Sequence, residues 1–96
     1  MASVLVTPRA RRNIQSLIAT HSLPDSTQRR IRESLAQLRQ FPLVGAVLPG
    51  RTPALRYVLG PWRWMIIVYR YYEDADQVWI VSVQDGRSAR SMINRD

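Results

Sequence analysis

The stretch "GPWRWMIIVYRYYEDADQVWIVSV", residues 60–83, decides the fold. Its core "WRWMIIVYRYY" is apolar on both sides, the pattern of a central strand covered on most of each face. "EDAD" (73–76) reads as an acidic hairpin turn, and "QVWIVSV" (77–83) returns as the following strand. Just upstream, "ALRYVL" (54–59) alternates Leu55, Tyr57 and Leu59 against Arg56 and Val58, and Gly60 with Pro61 makes the intervening turn. Three strands joined by short turns predict an antiparallel sheet. With period two, Arg63 shares a face with Met65, Ile67, Tyr69 and Tyr71, whereas Arg70 points the other way with Trp64, Ile66, Val68 and Tyr72.

Such a sheet needs a cover, and the N-terminal half supplies one. "SVLVT" (3–7) is a short β-branched strand, and Thr7 followed by Pro8 resembles an N-cap with proline at the first helical position. Ala10, Ile14, Leu17 and Ile18 then recur at helical spacing until about His21. "HSLPDST" breaks that rhythm. "STQRRIRESLAQLRQFP" restores it, with Ile31, Leu35 and Leu38 on one stripe, and Pro42 marks the end. Two amphipathic helices joined by a brief turn cannot bury their stripes unaided, so they lie on the sheet. The expected fold is α+β, ordered β-α-α-β-β-β, in a single domain over residues 1–96, with the other side of the sheet left for a ligand.

Composition narrows the chemistry. With no cysteine and one histidine, neither a disulfide nor a zinc centre is expected, and no cofactor is called for. The longest aliphatic run, Met65 to Val68, is far short of the roughly 20 residues that cross a bilayer. No secretion-signal pattern opens the chain, so the cytoplasm is the expected location. The net charge is +7, and all fourteen basic residues are arginine. A GC-rich codon bias accounts for that without function. Chemically, arginine suits bidentate phosphate binding and is a poor general base, and the charge implies an anionic partner, nucleic acid or an acidic protein.

In order and spacing, "TPRARRNI", "LRQFPLVGAVLPG" and "LRYVLGPWRWMIIVYRYYEDADQVWIVSVQDGR" resemble the RelE/ParE superfamily, small toxins of bacterial type II toxin–antitoxin systems. The resemblance covers almost the whole chain. It implies a small antiparallel sheet carrying an N-terminal helical hairpin, and a small acidic antitoxin that wraps it. It implies one of two targets: messenger RNA cleaved in the ribosomal A site, as by RelE-like members, or DNA gyrase, poisoned by ParE-like ones. Carried across by position, the family's aromatic–Arg pair falls on Trp62 and Arg63, its preceding basic residue on Arg56, and its terminal Gly-Arg on Gly86 and Arg87. The chain departs from the nuclease pattern in having no lysine, no aromatic beyond Trp79, and Asp85 where many relatives have histidine.

Cleavage of RNA by its own 2′-hydroxyl needs a base, an acid for the departing oxygen and cations around the phosphate. The catalytic candidates are Arg56, Arg63, Arg87, Tyr57 and Asp85, with Tyr71 and Glu73 as further proton-transfer candidates; Trp62, Arg51 and Arg90 are the candidate nucleic-acid contacts. Each has a plainer reading. Arg63 packs its stem on the sheet, Arg70 pairs with Glu73 or Asp76, Arg29, Arg30 and Arg32 form a solvated helix face, the tryptophans belong to the core, and His21 is a surface or capping residue. Two functional readings stand: a toxin, with mRNA cleavage ahead of gyrase inhibition, and a non-catalytic module that binds an antitoxin or nucleic acid.

Overall fold

The computed structural model describes residues 1–50 and 54–87, so Arg51 and Arg90 lie outside the described residues. Strand β1 (Ser3–Val6) leads into helix α1 (Pro8–Thr20), followed by α2 (Thr27–Leu35), the single turn α3 (Gln37–Gln40), and strands β2 (Ala46–Val47), β3 (Arg56–Leu59), β4 (Met65–Tyr72) and β5 (Gln77–Asp85). The α+β class and the covering helical hairpin are as expected. The helices start and stop for local reasons. Thr7 is extended, and its hydroxyl accepts from the Ala10 N–H at 3.1 Å while donating to the Ile80 carbonyl at 2.8 Å, so one side chain caps α1 and ties it to β5. The second helical run is divided rather than continuous. The Ala36 and Arg39 N–H groups bond three residues back, to Glu33 and Ala36, and this tightening separates α3 from α2.

The sheet is mixed, in the order β1-β5-β4-β3-β2. Strands β2 to β5 pair antiparallel, but β1 runs parallel to β5, with Ser3 opposite Gln77 and Val6 opposite Ile80. The wholly antiparallel expectation is therefore corrected at β1. The chain enters α1 directly from β1, and the helical crossover returns it to the far side of the sheet. Strand β2, only two residues long, forms the other edge of the sheet.

One face of the sheet carries the main core: Met65, Ile67, Tyr69, Val78, Ile80 and Val83 bury against Ala10, Ile14, Ile31, Leu35 and Leu38 from the helices. The opposite face is not bare. Leu48 buries against Ile66 and Val68 there, with Leu55, Tyr57 and Val81 packed around them. Burying the larger aliphatic side chains stabilises the fold by about 1.5–3 kcal/mol each before chain entropy is counted.

One irregularity in β5 sets the geometry of everything beyond it. Val68 pairs with Ser82, but Tyr69 pairs with Ile80, so Val81 is an extra residue without a partner on β4. The bulge reverses the alternation. Val78 and Ile80 face the helices before it, and Val83 and Asp85, opposite Ile67 and Met65, face them after it. The Val83 N–H beside the bulge donates to Asn13 Oδ1 of α1 at 3.1 Å. Without the extra residue, Asp85 would point away from α1.

Candidate functional site: an arginine–aromatic cluster at the end of the central strands

The loop between β3 and β4 spans residues 60–64. It is closed by Gly60 N–H to the Met65 carbonyl at 2.9 Å and Met65 N–H to the Trp62 carbonyl at 3.0 Å. Strand β4 begins at Met65, so Arg63 is an exposed loop residue, not a strand residue sharing a face with Met65. Alternation does not apply to it. The same loop sends Trp62 and Trp64 back over the end of the helical hairpin, where the ring centroids of the two lie 6.1 Å apart and nearly parallel.

Around these two rings the structure gathers groups from four segments. From α2, Arg30 lies 4.7 Å over the Trp62 ring. From the end of α1, His21 stacks on Trp64 with centroids 4.7 Å apart and planes 15° from parallel. From the turn after β5, Arg87 lies 5.3 Å from the Trp64 centroid. Asp85, the last residue of β5, accepts from His21 Nε2 at 2.9 Å and from Arg87 Nε and Nη2 at 3.0 and 2.9 Å. It also accepts from the Arg87 backbone N–H at 2.9 Å. Cation–π contacts and partly buried aromatic stacks of this kind stabilise by about 0.5–2 kcal/mol each, enough to hold an arrangement but not to build a fold.

The electrostatics follow from those contacts. The Arg87 fork holds the Asp85 carboxyl well below the ordinary carboxylate range, against the opposing effect of its burial, and the His21 bond adds to the depression. The same fork raises Arg87. Asp85 is therefore an ionised acceptor at neutral pH, and its four bonds occupy about four lone-pair sites. That suits a carboxylate that holds other groups, and leaves it neither a proton to give nor a free lone pair to take one. Because Asp85 only accepts, His21 Nε2 carries the proton between them, while Nδ1 lies 2.9 Å from the Thr20 hydroxyl. Both ring nitrogens are engaged.

Of the residues expected to act together, Trp62, Asp85 and Arg87 meet in this cluster, and Arg63 stands in the same loop. Arg56 and Tyr57 do not join them. Arg56 is opposite Tyr69 on the helix-bearing side, where Nη1 donates to the Leu43 and Gly45 carbonyls at 3.1 and 2.9 Å and secures the segment leading to β2. Tyr57 is on the other face, packed with Leu48, Ile66 and Val68. The side of the sheet expected to be left for a ligand carries Leu48 and its neighbours, and the arginine–aromatic cluster stands instead at the helix-bearing end. Arg70 lies 4.4 Å over the Tyr72 ring, and among the described residues no ion pair joins it to Glu73 or Asp76. Asp76 instead accepts from the Tyr71 hydroxyl at 2.7 Å, which raises the phenol and keeps it protonated.

Sequence reasoning missed His21 and Arg30. The available signal was a single histidine in the interhelical turn, one arginine among three on α2, and two tryptophans two residues apart; only the fold shows that these coincide. Among the described residues, no group of three His, Cys, Asp or Glu side chains is placed to hold a metal ion, and no helix is long and apolar enough to cross a membrane.

No protein-family model and no curated protein matches the chain's sequence. Its structure is similar to E. coli RelE in the intact RelBE toxin–antitoxin complex, with a TM-score of 0.65, 14% identity, and coverage of 88% of this chain and 96% of that one. It is similar to a free-state E. coli RelE carrying two arginine-to-alanine substitutions, with a TM-score of 0.66, 14% identity, and coverage of 96% and 92%. The isolated E. coli RelE toxin in its P21 form gives a TM-score of 0.63 at 12% identity, with coverage of 96% and 99%. At 12–14% identity the likeness to E. coli RelE is one of fold.

Proposed function

We propose that this chain is the toxin of a toxin–antitoxin pair and acts in the cytoplasm on messenger RNA at the ribosome. The observation that carries the reading is the cluster of Arg30, Trp62, Trp64 and Arg87 on a RelE fold. Guanidinium groups beside partly exposed indoles are the combination that binds single-stranded nucleic acid: the cations take phosphates and the rings take base faces. In this reading Arg87, Arg63 and Arg30 offset the charge of the crowded phosphate, and Trp62 supplies the stacking surface. Proton transfer falls to groups outside the cluster, because Asp85 and His21 are already engaged there. The partner antitoxin is expected to be small and acidic. A groove lined by Val4, Val6, Leu35, Arg29, Arg32 and Arg39, with Glu33 as its one carboxylate, has the apolar and net basic character that such a partner needs.

A second reading is inhibition of DNA gyrase. The engaged state of the cluster's acid and base groups favours it, since poisoning an enzyme by contact needs cations and rings but no proton transfer. Expressing the chain without an antitoxin separates the two. New 5′ ends within transcripts support RNA cleavage, intact transcripts with accumulating double-strand DNA breaks move the target to gyrase, and a harmless chain that still binds its antitoxin supports a non-catalytic module. In the toxin reading Arg63→Ala abolishes growth arrest with a thermal midpoint near that of the parent, because Arg63 is exposed.

A further inference from the structure

Asp85 and Arg87 pair side-on. The carboxylate fills the Nε/Nη2 edge of the guanidinium and leaves the end-on edge, Nη1 with the second Nη2 hydrogen, outside the pair. The two side chains differ sharply in exposure: 66% of Arg87 and 8% of Asp85 is accessible. Two consequences are conceivable, and they have opposite signs. An acidic side chain that competes for Arg87 weakens anion binding; one that orients Arg87 strengthens it.

The geometry decides for orientation. Asp85 is tied from two sides, by Arg87 and by His21 from an element 64 residues away in sequence, and its lone-pair sites are full. An incoming phosphate has no need to displace it, because among the described residues no partner takes the second forked edge of Arg87. Trp64 lies against both the guanidinium and the imidazole, so the plane of Arg87 is restrained by a ring as well as by the carboxylate. We infer that Asp85, itself held by His21, is a positioning residue that fixes Arg87 with its Nη1/Nη2 edge facing solvent, as a preset fork for the phosphates of a polyanion. The β5 bulge makes this arrangement, since it turns Asp85 toward His21. The inference rests on the polyanion-binding reading of the cluster, and its test uses one probe that does not depend on RNA.

The full chain and its variants are titrated with a fluorescent single-stranded RNA oligonucleotide and, separately, with inorganic tripolyphosphate. Asp85→Asn removes a negative charge, yet is expected to weaken binding of both probes by roughly two- to tenfold, the ordering cost of one released long side chain. In an Arg87→Ala background, Asp85→Asn has no further effect, and Arg87→Ala itself lowers the RNA salt slope by about 0.7. A residue that only supported the fold would not give this coupling. Arg87→Lys is the second variant should Asp85→Asn not fold: it keeps the charge, lacks the fork, and binds more weakly than the parent. Tighter binding by folded Asp85→Asn, unchanged binding by it, or parental affinity in Arg87→Lys overturns the inference. Tripolyphosphate binding that follows the expected order without any RNA binding sinks the RNA reading and leaves the fork standing.

Discussion

Among the described residues Tyr69 is the largest fully buried side chain of the sheet, and its hydroxyl has one protein partner, the Gly45 N–H at 2.9 Å. Tyr69→Phe removes the acceptor and nothing else of similar size. Gly45 is buried between exposed neighbours and its bond to Tyr69 is buried, so its N–H keeps its desolvation penalty without the bond, at a cost of about 1–3 kcal/mol. For a domain of this length each kcal/mol moves the thermal midpoint by about 4–8 °C, so a loss of ~2 kcal/mol lowers it by about 8–16 °C. Burial raises the Tyr69 phenol, so the hydroxyl is protonated at any working pH and the effect is the same from mildly acidic to mildly basic buffer. Thermal unfolding followed by tryptophan fluorescence, with Tyr71→Phe as a control, measures it. Tyr71 donates to Asp76 at an exposed site, and its loss shifts the midpoint little. An unchanged midpoint for Tyr69→Phe, or an equal shift for both variants, refutes the assignment of the Gly45–Tyr69 bond as the anchor of the segment before β2.

Other consequences are measurable on the same footing. The Asp85 carboxyl is depressed from an ordinary value of 3.8, so the folded state binds fewer protons there than the unfolded state. Its contribution to stability is complete above about pH 4 and is lost as pH falls below that; Asp85→Asn flattens this acid limb in unfolding curves recorded from about pH 6 to pH 3. Asn13→Ala strands the Val83 N–H at the bulge and costs about 1–3 kcal/mol, visible as a lowered urea midpoint with little change in slope. At Gly45 an added Cβ meets the Tyr57 carbonyl and the Tyr69 ring and hydroxyl, each at 2.7 Å. Two of those groups cannot easily yield, so Gly45→Ala destabilises by about 1–3 kcal/mol in the same assay.

The helices were legible because a 3.6-residue period survives in Ala10, Ile14, Leu17 and Ile18, and because Thr7 and Pro8 announce the first turn. Strands β3 to β5 were legible from their composition and turns. What escaped depends on single residues or distant partners. The bulge at Val81 leaves no mark in "WIVSVQD", where every residue fits regular alternation, yet it decides which way Asp85 faces. The parallel pairing of β1 with β5 joins residues more than seventy apart, and nothing local distinguishes it from an antiparallel edge. Arg63 was misplaced because Gly60-Pro61 was read as a complete two-residue turn. The loop runs on to Trp64, and that extra length brings both tryptophans to His21 and Arg30. Charge alone therefore gave no sign that Arg30 and Arg87 would gather with the tryptophans at the helix-bearing end of the sheet.

Strand β5 lies between β1 and β4 and also receives the cap bond from Thr7. It is translated after every element it joins. A nascent chain that has emerged only as far as β4 lacks the strand that seats its opening segment, the carboxylate that holds Arg87, and Arg87 itself. The opening strand therefore waits for its neighbour until synthesis has passed β5, and a chain cut short before that point keeps β1 without its pairing strand.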